Sequence, residues 1–219
     1  MGTRSGAAST YQRPINGGDM PLDSLPILQL FGITSGLLSG AAFMPYIRDV
    51  VQGRTQPKRA AWLIWSVISL ISFVSLIDEG ATASLWFVGT QSLGTASIFA
   101  LSIGLGRGDY LSRKDFGVLA AAALGVALWQ ATDEPGLALA MNIAASSLGG
   151  FAMIGKAFRS PDTETLSTWI MFALSAALSV ASVGSLAWVE LAYPVYLLTL
   201  YLAIILAILT GSSPSLARS

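Results

Sequence analysis

Seven near-continuous apolar runs constrain what this chain can fold into: Ile27 to Ile47, Ala60 to Ile77, Ala81 to Leu105, Phe116 to Ala131, Gly136 to Gly155, Leu166 to Val189 and Leu191 to Gly211. They are 16 to 25 residues long, and a helix needs about 20 residues to cross roughly 30 Å of hydrocarbon. Hydrocarbon offers no water to exposed backbone groups, so runs of this length in a bilayer must be helical. A membrane barrel would instead show alternating segments of about ten residues, and none are visible. Only 11% of residues are charged and 53% are hydrophobic, where a soluble domain carries about 25% charge. The predicted fold class is all-α integral membrane with seven transmembrane helices.

Asp78-Glu79-Gly80 and Asp133-Glu134-Pro135-Gly136 interrupt the runs with charge and helix breakers, which predicts tight hairpins. The boundary between runs six and seven rests on Glu190 and Pro194, with one kinked segment as the alternative. Basic residues sort to alternate connections. Arg48, Arg54, Lys58 and Arg59 follow run one; Arg107, Arg113 and Lys114 follow run three; Lys156 and Arg159 follow run five; Arg218 follows run seven. The other connections hold Asp78, Glu79, Asp133, Glu134 and Glu190, with neither Lys nor Arg. The positive-inside rule then puts loops one, three and five and the C-terminus in the cytoplasm and the N-terminus outside. The expected location is the plasma (cell inner) membrane.

Residues 1–26 are rich in Gly, Ser, Thr and Pro without the apolar core of a secretory signal, and read as a disordered tail. Net charge is zero, which offers nucleic acid no attraction. Neither cysteine nor histidine occurs. That excludes disulfides, thiol and imidazole catalysis and the usual zinc sites, so no metal, cofactor or enzymatic activity is expected.

Two segments repeat 104 positions apart: Gln56-Pro57 leading to Trp65, and Ser160-Pro161 leading to Trp169, each with its proline eight residues before the tryptophan. Coincidence together with interfacial anchoring by tryptophan is the plain alternative for the two spacings, but their place between long apolar runs proposes duplication. An odd number of spans per unit keeps orientation only if one helix is inserted between units. The chain thus divides into a first three-helix unit (27–105), a linker helix (106–135), a second three-helix unit (136–211) and a C-terminal tail (212–219), a 3+1+3 parallel repeat.

With Phe43-Met44-Pro45-Tyr46-Ile47-Arg48 running into Gly53-Arg54-Thr55-Gln56-Pro57, and Lys156-Ala157-Phe158-Arg159-Ser160-Pro161 running into Leu166-Ser167-Thr168-Trp169, the chain resembles the PQ-loop superfamily over residues 27 to 210. That superfamily includes the SWEET and SemiSWEET sugar transporters and the KDEL receptors. The family's Pro-Gln dipeptide is Pro45-Tyr46 here, and the first helix of the second unit ends without proline, carrying Gly149, Gly150 and Gly155. The resemblance implies a pocket lined by a carboxamide on the third helix of each unit and an aromatic on the second. Gln91 matches the first place; the 104-residue offset leads to Val195 and its neighbour Tyr196 in the second unit; Phe73 is the nearest aromatic.

Gln91 and Asn142 are also the only carboxamides deep inside apolar runs, where an amide without a partner costs several kcal/mol. Interhelical bonding and ligand binding both satisfy that demand. Ser66, Ser69, Ser72 and Ser75, and Ser175, Ser179, Ser182 and Ser185, each follow one helical face. Helix packing is the first reading of such stripes, and a polar pathway the second. Trp65 and Trp169 read as interfacial anchors or inner-gate residues, and Trp86, Trp129 and Trp188 as the opposite belt. Pro45, Gly149 and Gly150 are candidate hinges, with a plain helix end as the alternative for Pro45.

No Asp, Glu, Lys or Arg lies mid-span, which disfavours ion coupling. The expected function is facilitative transport of a small neutral polar solute, a sugar above all, bound by Gln91, Asn142, Phe73 and Tyr196 and moved by alternating access. The partners are that solute and the lipid bilayer, with homo-oligomerisation left open. The alternatives are a receptor or scaffold of the same architecture that binds without transport, and a helical protein whose polar residues only pack.

Overall fold

A computed structural model describes residues 25–78, 83–131, 135–184 and 188–212. The described residues form seven α-helices without a strand: α1 Leu25–Gln52, α2 Arg59–Asp78, α3 Ala83–Gly104, α4 Arg113–Gln130, α5 Pro135–Arg159, α6 Leu166–Ser182 and α7 Trp188–Thr210. A 3-10 turn, Pro161–Thr163, precedes α6. Two helical stretches, Pro26–Gln52 and Glu190–Thr210, are long and apolar enough to cross a membrane. Large apolar side chains point outward along the bundle, with Leu37 and Met44 each 72% exposed, where a soluble monomer keeps such patches small.

Local chemistry explains several helix ends. Ser112 and Asp115 make a capping box at the start of α4: Asp115 N donates to Ser112 Oγ at 3.3 Å, and Ser112 N donates to Asp115 Oδ2 at 2.7 Å. Pro135 opens α5, where its missing N–H would have no intrahelical acceptor. Glu190 in the first turn of α7 complements the helix dipole.

Several helix ends differ from the expected spans. Helix α1 runs through Pro45 to Gln52, so this proline is not a helix end. Its ring removes one backbone donor, and three residues before it Ala42 O accepts from Thr168 Oγ1 of α6 at 3.1 Å. Helix α5 continues past Gly155 to Arg159. Helix α6 stops at Ser182, where Val183 turns extended (φ −74°, ψ 112°), and α7 starts at Trp188 with Pro194 inside it. The break therefore precedes Glu190, and α6 and α7 are separate helices. The Glu79-Gly80 and Asp133-Glu134 turns, residues 1–24, residues 213–219 and the side chains of Trp86, Trp129 and Trp188 lie outside the described residues.

Helix α1 packs on α3 and α6, α5 packs on α7 and α2, and the pairs α2·α3 and α6·α7 complete the set. Adding four to each helix number turns α1·α3 into α5·α7 and α2·α3 into α6·α7. Helix α4 packs on α5 and α2. The connections α1–α2, α3–α4 and α5–α6 meet at one end of the bundle. Gln56 N donates to Thr163 O at 3.0 Å, and Asp109 N donates to Pro57 O at 3.2 Å. The most buried core, with Phe43, Tyr46, Trp62, Met153, Trp169 and Ile204, lies toward that same basic-loop end.

Candidate functional site

Six helices wall a cavity of about 170 Å³, well above the ~10–15 Å³ needed for one water. Its polar groups come from Ser69 and Ser72 on α2, Gln91 and Thr95 on α3, and Asn142 and Ser146 on α5. Its aromatic groups come from Phe43 on α1, Trp62 and Trp65 on α2, Trp169 and Phe172 on α6, and Tyr193 and Tyr201 on α7. The α7 contribution, Tyr193, Leu197, Leu200 and Tyr201, falls at intervals of four, three and one, a single face of a helix. No charged residue is among the described lining residues.

Most of the wall's polar atoms already have partners. Ser69 Oγ and Thr95 Oγ1 are 3.1 Å apart, and Thr95 Oγ1 donates to Gln91 O at 2.8 Å. Trp65 Nε1 donates to Ser146 O at 3.2 Å. Gln91 Oε1 and Asn142 Oδ1 differ: both are buried without a hydrogen-bond partner among the described residues. Each is a carboxamide oxygen able to accept two bonds, and leaving such a group unsatisfied costs about 1–3 kcal/mol.

Of the residues singled out in the sequence, Gln91, Asn142, Trp65 and Trp169 meet in this one cavity. The two tryptophans are walls rather than boundary anchors, because α2 and α6 turn them inward, their rings 6.4 Å apart. Phe73 and Tyr196 are not among the described lining residues. Phe73 lies toward α3, where a Cβ on Gly89 would come within 3.0 Å of its ring. Tyr196 OH donates to Ser146 Oγ at 3.0 Å, and Tyr193, almost one turn earlier, takes the wall position on α7. Gly149 and Gly150 serve close packing. A Cβ at Gly149 would meet Ala61 Cα of α2 at 3.4 Å, and one at Gly150 would meet Leu200 of α7 at 2.7 Å.

The serine stripes divide. Ser69 and Ser72 reach the cavity, whereas Ser66 Oγ bonds back to Trp62 O at 2.6 Å. On α6, Ser175 packs: it donates to Ser35 O of α1 at 2.8 Å, and Ser35 Oγ donates to Ser175 O at 2.8 Å.

Charged residues concentrate at the basic-loop end, where Lys58 and Lys156 are paired with acidic side chains. Lys58 Nζ lies 2.9 Å from both Asp109 Oδ2 and Asp115 Oδ2. Burial would lower the Lys58 pKa, but the hydrogen bonds to Asp109 and Asp115 outweigh it and hold the value above normal. Burial would raise the Asp115 carboxyl, yet the bonds from Ser112 and Lys58 hold it below its ordinary range. Lys156 Nζ donates to Glu164 Oε1 at 2.5 Å and to Thr163 O at 2.8 Å. Burial pushes the Glu164 carboxyl above the usual carboxylate range, against the pull of Lys156, Trp169 and Tyr46. In the sequence Lys156 stood out as an orienting charge and as part of the second repeated segment, and Glu164 did not stand out. Their eight-residue spacing across the 3-10 turn was the available signal.

No family model, curated protein or solved structure matches this chain. The cavity presents neutral hydrogen-bonding groups beside flat aromatic faces.

Proposed function

We propose that this protein is a facilitative membrane transporter of a small neutral polar solute, a sugar first among the candidates, working by alternating access in a bilayer. In this reading α1–α3 and α5–α7 are two three-helix units joined by α4, and seven spans cross a plasma membrane with the basic loops in the cytoplasm. The repeated helix pairings, α1·α3 with α5·α7 and α2·α3 with α6·α7, support the two units. One observation carries the binding role: Gln91 Oε1 and Asn142 Oδ1, one from each unit, are buried in the same cavity without partners among the described residues. A solute with two O–H or N–H donors and an apolar face satisfies both oxygens and rests on the aromatic rings. The uncharged wall suits a neutral solute and offers no site for ion coupling.

Proteoliposomes loaded with labelled glucose or another small sugar test the reading. Expected is saturable flux, indifferent to membrane potential, that falls about 10-fold or more in the Gln91→Ala, Asn142→Ala double variant, as loss of two bonds at roughly 1 kcal/mol each implies. Flux unchanged in that variant would falsify the site. Solute binding without flux would favour a receptor.

A further inference from the structure

Trp62 and Trp169, rings 6.2 Å apart, wall the cavity toward the basic loops. Their indole N–H groups converge on one buried carboxylate. Trp169 Nε1 donates to Glu164 Oε2 at 3.1 Å; Trp62 Nε1 donates to Tyr46 OH at 3.3 Å, and Tyr46 OH donates onward to Glu164 Oε2 at 3.2 Å. An indole N–H can only donate, so the chain of bonds runs one way, and its end must be an acceptor. An ionised carboxylate accepts without donating. The Glu164 side chain is 0% exposed, and its other oxygen takes Lys156.

We propose that Glu164 is a latch that closes the cavity on the basic-loop side, with Tyr46 as its counterpart across the molecule. The inference rests on the two-unit reading above. Tyr46 and Trp62 belong to the first unit, and Glu164, Lys156 and Trp169 to the second. The bond Tyr46 OH to Glu164 Oε2 is therefore the link through which both tryptophans are drawn together. Opening on this side must break it. Charge assistance makes it stronger than a bond between neutral groups, yet its rupture leaves no bare charge, because Lys156 stays with Glu164 in the same unit. The loops add the bond of Thr55 Oγ1 with Thr165 Oγ1 at 2.6 Å and that of Thr165 Oγ1 to Asp49 Oδ2 at 3.0 Å. Neither touches the cavity wall. Glu164 is thus a positioning residue: it meets no solute and holds the two tryptophans that do.

The absence of cysteine makes the test direct. Ser72→Cys places one thiol in the cavity wall, and Gln52→Cys, on the exposed end of α1, reports which vesicle face a membrane-impermeant thiol reagent has reached. With the latch intact, Ser72→Cys reacts slowly from the basic-loop face. Tyr46→Phe, which removes one hydroxyl and keeps the Glu164–Lys156 pair, is expected to speed that reaction about 10-fold or more, the ratio carried by a lost charge-assisted bond. Glu164→Gln is expected to act the same way, and the double variant to add nothing. An unchanged rate in folded Tyr46→Phe overturns the latch, as does an equal acceleration from both faces. No solute enters this assay, so a Tyr46-sensitive thiol without sugar flux rejects transport and keeps the latch. Flux with an insensitive thiol does the reverse.

Discussion

Gln91 and Asn142 separate a binding amide from a packing amide by a measurement that needs no ligand. An amide that joins helices costs about 0.6–1.7 kcal/mol when removed from a membrane protein. One whose acceptor has no partner loses nothing by becoming apolar. Gln91→Leu and Asn142→Leu are therefore expected to leave the thermal unfolding midpoint in detergent unchanged or raised, while solute binding falls; a lowered midpoint would identify the amides as packing groups. The charged clamp has the opposite character. Asp115 is depressed below its ordinary value near 3.8, so its contribution is present above that pH and is lost as pH falls through the folded value. Lys58 is raised above its ordinary value near 10.5, so its contribution is present below that pH and is lost as pH rises through the folded value. Between these limits the Lys58–Asp115 pair contributes in full. Asp115→Asn should remove the acid limb and cost about 2 kcal/mol, the size of a hydrogen bond to a charged group.

Among the helices, close approach is set by a few small residues. At Gly149 a larger side chain meets the backbone of α2, which has no room to retreat. Gly149→Val is expected to destabilise by about 1–3 kcal/mol, the usual penalty of overpacking. Gly155 faces only the far end of Arg159, so Gly155→Ala should gain about 0.5–1 kcal/mol from lost backbone freedom in the unfolded chain. Equilibrium unfolding in mixed detergent distinguishes the two. Much of the element pattern was legible: each apolar run holds a helix, and Asp109 and Ser112 lie in the connection where basic residues had marked a loop. The end of α6 was not. Apolarity continues from Val183 through Val189, so composition alone carried the expected span past the turn.

For the whole molecule, the proposed orientation makes a prediction about faces. Single cysteines at Gln52, Leu111 and Phe158 should react with an impermeant thiol reagent from one side of a vesicle, and one at Gly184 from the other. Labelling of all four from the same side would reject seven spans. The first three positions are exposed at the end where loops 53–58, 105–112 and 160–165 meet. That gathering also explains the buried Asp115 and Glu164 and the half-buried Asp109, which pair with lysines that the charge pattern alone had assigned only to orientation.

What the amino-acid sequence determined by itself is local: helices, their number and their approximate extent follow from run length, low charge and a few caps. Depth in an apolar run also pointed to Gln91 and Asn142. The tertiary structure decided which faces turn inward. Helix rotation is a cooperative outcome of packing, so Tyr193 and not Tyr196 reached the cavity wall, and Trp65 and Trp169 became walls. The partners of Glu164 show the same limit. Tyr46 is 118 positions away and joins it only when α1 and α6 lie side by side; a bond between residues so far apart leaves no periodic trace in either segment.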